Sequence, residues 1–296
     1  MKTPNGLKLF SPAMLLSVPA DPLIGFLLTH PGGAAPQPVF LAAAAVLCFH
    51  LAGVITARFV ECLHFREPAP LSPALGCAAA VALLAGGEAL CLPLDSPARW
   101  AGLTLLLVVL LHALCLQQIP YLGPLSLGAS RGIGVLLGAS IVAADRPAAP
   151  ALAVAAILLA LYAGAVSLVG RRRAPERGVG EERWAPAVVI ALGFALLARI
   201  QPLASVAEWV GFLGAFAFAG TLAIVVGDLL GTDAQPASLV HDTVSILRGS
   251  ILLVQAGLVM VSGAGFPGLL FGLALLALWP LHRALCRRPA RVSACR

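Results

Sequence analysis

Residues 158–178 read LLALYAGAVSLVGRRRAPERG, an apolar run that stops abruptly at three consecutive arginines. Traced back to residue 148, the run is long enough to cross a bilayer, because about 20 apolar residues rising ~1.5 Å each span ~30 Å of hydrocarbon. A cluster of arginines at one end of such a run marks the cytoplasmic side. Comparable segments recur on both sides of it, near 9–30, 38–60, 73–92, 98–117, 124–143, 184–201, 207–229, 241–262 and 266–286. Short connections holding Pro, Gly, Asp or Arg separate them.

Composition agrees with this reading. Of 296 residues, 60% are hydrophobic and 11% charged, and the mean hydropathy is +0.97, whereas soluble domains carry roughly 25% charged residues. The chain is expected to be a single all-α transmembrane domain over 1–296, a polytopic bundle of nine or ten helices around a central cavity, with a short basic tail at about 287–296. Nine follows if the short 184–201 segment does not cross. The segments lack period-two alternation and are twice the length of barrel strands, which excludes a β-barrel. Pro19, Asp21 and Pro22 interrupt the first segment, so it reads as a broken first helix and not as a cleavable signal peptide. None of the seven cysteines is paired at CxxC spacing, which argues against a thiolate metal site.

The net charge of +6 reflects topology and gives no reason to expect nucleic acid as a partner. With Lys2 and Lys8 inside, Arg66, the Arg171–Arg173 run, Arg177 and Arg183 also fall inside, as do the tail arginines Arg283, Arg287, Arg288, Arg291 and Arg296. The opposite side receives Arg99, Arg146 and Arg199. The protein is therefore expected to be an integral multi-pass membrane protein, in the cytoplasmic membrane if bacterial, with its N-terminus and main basic loops cytoplasmic.

Charges inside the spans gather in the inner half. Residues 53–73, GVITARFVECLHFREPAPLSP, place Arg58, Glu61, His64, Arg66 and Glu67 at the inner end of the second segment. Arg131 and Arg248 each lie about seven residues into a span, ~10 Å below the inner surface at ~1.5 Å per residue. His241 and Asp242 stand at the ninth segment's mouth. Charge in hydrocarbon costs roughly 2.5–3.5 kcal/mol, so Arg58, Arg131 and Arg248 are expected to point inward, into one polar pocket open to the cytoplasmic side. Arg58, Arg66 and Arg171–Arg173 also have a topogenic reading, since arginines at helix ends snorkel. His50 and His112 read as packing residues, and Glu88 as a surface or packing carboxylate. The glycines of GASRGIGVLLG lie inside a membrane helix, which argues close packing over a phosphate loop.

In order and spacing, several blocks together resemble the UbiA superfamily of intramembrane prenyltransferases. Residues 8–28, KLFSPAMLLSVPADPLIGFLL, are similar to the family's first helix, and residues 51–73 to its second helix and following loop. Residues 121–140, YLGPLSLGASRGIGVLLGAS, are similar to the fifth helix, residues 158–178 to the sixth and its loop, and residues 239–257 and 276–292 to the final hairpin. The resemblance implies a prenyl diphosphate substrate, a lipophilic acceptor and Mg2+. In the family, aspartates of two motifs, after the second and sixth helices, bridge the metal to the diphosphate.

Both motifs depart from that pattern here. In the first, the asparagine position aligns with Ala57, an aspartate with Arg58 and the later aspartate with Glu61, the one candidate metal ligand; in place of the second stand Arg171, Arg172, Arg173 and Glu176. Arginine binds phosphate without metal. The candidate substrate-binding set is therefore Arg58, Glu61, His64, Arg66, Arg131, Arg171, Arg172, Arg173, His241, Asp242 and Arg248, with no catalytic residue assigned. Two readings follow, a UbiA-like prenyltransferase using Mg2+ and a catalytically inactive relative that binds a polyprenyl or anionic lipid. A small-solute transporter is a third, disfavoured because no paired half-repeat is visible.

Overall fold

A computed structural model of the chain describes residues 16–30, 37–65, 72–141, 150–171, 181–201, 203–230, 237–261 and 265–286, with side chains left out at 65, 171, 227–230, 237–242, 265–268, 279 and 281–286. The helices are α1 (Ala20–Thr29), α2 (Gln37–Phe65), α3 (Pro73–Cys91), α4 (Ser96–Leu114), α5 (Leu122–Ala139) and α6 (Pro150–Arg171). They continue as α7 (Ala185–Ile200), α8 (Val206–Leu230), α9 (Ala237–Gly249), α10 (Ile251–Val261) and α11 (Gly265–Cys286). Among the described residues there is no strand. Short 3-10 turns at Leu116–Gln118 and Glu181–Trp184 lead into α5 and α7.

Eight stretches are long and apolar enough to cross a membrane, and two shorter apolar helices, Ala20–Thr29 and Leu269–Leu278, complete the ten expected segments. The fold is thus an all-helical, multi-pass membrane bundle. Proline sets several starts: Pro73, Pro97 and Pro186 occupy the first turns of α3, α4 and α7, where a missing N–H is not needed.

Three boundaries differ from expectation. The second helix runs to Phe65, so Arg58, Glu61 and His64 ride on its last turns. The first segment is helical at Leu16 and Ser17, is interrupted at Val18 and Pro19, and resumes as α1 at Ala20, so the described helix is shorter than the segment but broken where the prolines suggest. The ninth segment is two helices, broken between Gly249 and Ile251.

α5 is the hub, and its three faces explain its composition. Gly128 and Gly132 lie against the Ala160 and Ala156 carbonyls of α6, and Gly164 of α6 lies against Pro124. On another face Gly134 and Gly138 lie against Asp21 and Pro22 of α1, whose Gly25 meets the Val135 carbonyl. Without Cβ atoms the backbones come into contact, which is how membrane helices associate when apolar burial offers no gain over lipid. The third face carries Ser126 and Ser130 towards His112 of α4 and His50 of α2. Burial follows this plan: 67% of the α5 span and 78% of the α9–α10 span are buried, against 22% of α3.

Candidate functional site

Because the spans alternate in direction, the ends of α2, α4 and α6 and the starts of α5 and α9 share one end of the bundle. At that end Arg58 Nη1 contacts Glu61 Oε2 at 2.9 Å, one turn along α2, with the two side chains 42% and 45% exposed. His64 follows on the next turn and is exposed. Gln117 ties the α4–α5 connection to this end, donating through Nε2 to the Ala57 carbonyl at 3.2 Å and to that of Ala113 at 2.9 Å. Beside it, His112 Nδ1 and Ser126 Oγ share a 2.8 Å hydrogen bond.

Arg248 belongs to a second cluster. A methyl group built on Gly170 would lie 3.6 Å from its Nη2 and 3.0 Å from Val244 Cγ1, so α9 crosses the last turn of α6 and lays the Arg248 guanidinium over it. Arg171 is the next residue of α6, and Arg172 and Arg173 follow beyond the described residues. The structure therefore brings Arg248 to the head of the arginine run. It keeps Arg58, Glu61 and His64 on α2, which packs on α3, α4 and α1. Arg66 lies outside the described residues. His241 and Asp242 lie on α9, with side chains outside the description.

The expectation that Arg58, Arg131 and Arg248 all point into one open pocket needs correction. Arg248 is exposed and Arg58 is half-exposed. Arg131 is the inward one, 4% exposed, and it faces Asp21 of α1, which is 0% exposed. Its Nη2 donates to Asp21 Oδ1 at 3.0 Å and to the Ser17 carbonyl at 3.1 Å, and its Nη1 donates to Ser17 Oγ at 3.2 Å. Nε lies 2.9 Å from Asp21 Oδ2, a charge contact without hydrogen-bond alignment. Gln255 of α10 completes the knot, donating to Asp21 Oδ1 at 2.7 Å and to the Ser17 carbonyl at 2.8 Å. A guanidinium so engaged already has its anion, so Arg131 is removed from the ligand-binding set and placed in the scaffold. The sequence reading took Asp21 only as a helix interrupter and missed Gln255. The signal was present, because two opposite charges inside spans call for each other.

The described residues do not form the metal site that the resemblance implies. Among the described residues no three His, Cys, Asp or Glu side chains gather as a metal would require. Glu61, the candidate ligand, is engaged by Arg58.

No family model matches the sequence, and no curated protein matches it at the sequence level. Solved structures match by shape. One, from work on digeranylgeranylglyceryl phosphate synthase in membranes, superposes with a TM-score of 0.59 at 14% identity over 87% of this chain and 98% of the other. A second, a UbiA homolog from Archaeoglobus fulgidus bound to DMAPP and Mg2+, superposes with a TM-score of 0.57 at 14% identity over 86% and 98%. The chain shares its fold with these two structures over 86–87% of its length.

Proposed function

We propose that the protein handles an isoprenoid diphosphate, holding it at the end of the bundle where α2 and α6 finish, and that arginine rather than metal neutralises the phosphates. The observation that carries this reading is the pairing of a UbiA-type fold with arginine at both places where that family sets metal-binding aspartate. Arg58 stands at the end of α2, and Arg248 lies over the end of α6 at Gly170, the residue before the Arg171–Arg173 run in sequence. Planar guanidinium groups match phosphate oxygens bidentately. Glu61 serves as the resting counter-ion of Arg58, displaced when a stronger anion arrives. The apolar interior suits the prenyl chain, and membrane lipids surround the bundle.

Prenyl transfer to a lipophilic acceptor is the second reading. Its support is the synthase and the DMAPP- and Mg2+-bound homolog among the structural neighbours. Equilibrium binding of radiolabelled farnesyl and geranylgeranyl diphosphate to the purified protein in nanodiscs, with Mg2+ and with EDTA, separates the two. Saturable binding that persists in EDTA, and that Glu61→Gln leaves intact, is expected. Loss of binding in EDTA, or a crippling effect of Glu61→Gln, would overturn the arginine reading in favour of metal-dependent transfer.

A further inference from the structure

The span formed by α9 and α10 is interrupted, and the interruption is held by a side chain from another helix. Ser250 N still donates to the Ile246 carbonyl at 2.9 Å, while Leu253 N donates one residue short, to the Ser250 carbonyl at 3.0 Å, which also takes the ordinary helical bond of Val254 N at 3.2 Å. The Leu247 carbonyl accepts hydroxyls instead, that of Ser250 at 2.7 Å and that of Tyr162, on α6, at 3.3 Å. Tyr162 Oη and Ser250 Oγ are themselves 2.5 Å apart. The two hydroxyls and the Leu247 carbonyl thus form a closed triangle, in which either hydroxyl can donate to the other. Both side chains are fully buried, at 0% and 1% exposure, so water has no access to do the same work.

The break lies just after Arg248, between it and Gln255. Arg248 and Gln255 are seven residues apart, and in a continuous helix about two turns of separation would put them on one stripe. Gln255 is completely buried against Asp21, whereas Arg248 is exposed and reaches back to Gly170. Between these residues the helix is interrupted at Ser250, and Tyr162 touches the interruption. α6 thus grips α9 twice, through Tyr162 at the break and through Gly170 beneath Val244 and Arg248.

We propose that Tyr162 is a positioning residue for Arg248: its hydroxyl, through Ser250, fixes the α9–α10 break so that the guanidinium rests over the end of α6. This rests on the reading of that end as a diphosphate site. The tyrosine touches no ligand and acts through the backbone of residues 247–250.

The test uses the full chain in nanodiscs, with farnesyl diphosphate and farnesol as probes. Losing one buried hydrogen bond typically shifts an equilibrium about three- to tenfold, so Tyr162→Phe should weaken farnesyl diphosphate binding by that factor and leave farnesol binding unchanged. In an Arg248→Gln background the same substitution should add nothing, because the two act as one unit. Without any ligand, amide exchange over residues 250–252 should quicken in Tyr162→Phe. Additive losses, or a parallel loss of farnesol binding, would reduce Tyr162 to a general packing role and overturn the proposal. If the unaltered protein binds no farnesyl diphosphate, the diphosphate site falls, and unchanged amide exchange would then remove the latch as well.

Discussion

At position 131 an arginine lies inside a helix with almost no exposed surface, and what makes it tolerable is an aspartate 110 residues earlier in the chain. Two charges deep in a bundle are each costly alone and inexpensive together. Breaking a buried pair by removing one partner typically costs about 3–5 kcal/mol, because the other charge is left buried and unpaired. Asp21→Asn and Arg131→Gln should therefore each lower the thermal stability of the detergent-solubilised protein severely. The double variant should lose clearly less than the sum, and thermal unfolding followed by size-exclusion chromatography reads the difference. Purely additive losses would mean the two side chains do not depend on each other. Arg58 and Glu61 form the opposite case. Their contact is half-exposed and one turn apart, a geometry worth at most about 1 kcal/mol, so Glu61→Gln should leave stability unchanged.

Among elements, the packing of α5 is decided by where glycine stands. A Cβ on Gly138 would enter the backbone of Pro22, and one on Gly128 the backbone of Ala160; neither neighbour can rotate away as a flexible side chain would. Gly128→Ala and Gly138→Ala should push α6 and α1 off the hub, with destabilisation beyond the roughly 0.5–3 kcal/mol common for single substitutions. Gly86, Gly214 and Gly220 have open space where their Cβ would sit. Alanine at any of these should be neutral or stabilising by up to about 1 kcal/mol, since it favours helix over glycine. A set of melting temperatures in one detergent tests both arms. Equal tolerance at Gly128 and Gly86 would show that the close approach is not needed.

Across the whole molecule, four spans separate the end of α2 from the end of α6, which puts these two ends on one side of the membrane. The asymmetry of basic residues predicts that this side is the cytoplasmic one. In a cysteine-free background, single cysteines placed at 67 and 175 should resist an impermeant maleimide added outside intact cells. Cysteines at 95 and 146, in the connections of opposite side, should react. Labelling of either basic segment from outside would reverse the topology and move the proposed diphosphate site to the other face.

The sequence by itself determined the membrane, the helical class, the ten apolar segments and the side on which arginine accumulates. These properties depend on composition and on length along the chain, and both can be read one residue after another. It also carried the order of blocks that resembles the UbiA helices, although no single block would have been enough. What only the tertiary structure decided was partnership around each helix axis. Depth along a span grouped Arg131 with Arg248, yet one is folded against Asp21 and Gln255 and the other lies over Gly170. The Gly249–Ser250 pair marks where this helix can break, but the hydroxyl that meets the break belongs to Tyr162, 88 residues earlier. A linear pattern fixes how deep a side chain lies, but which neighbour it meets depends on how the helices are arranged around it.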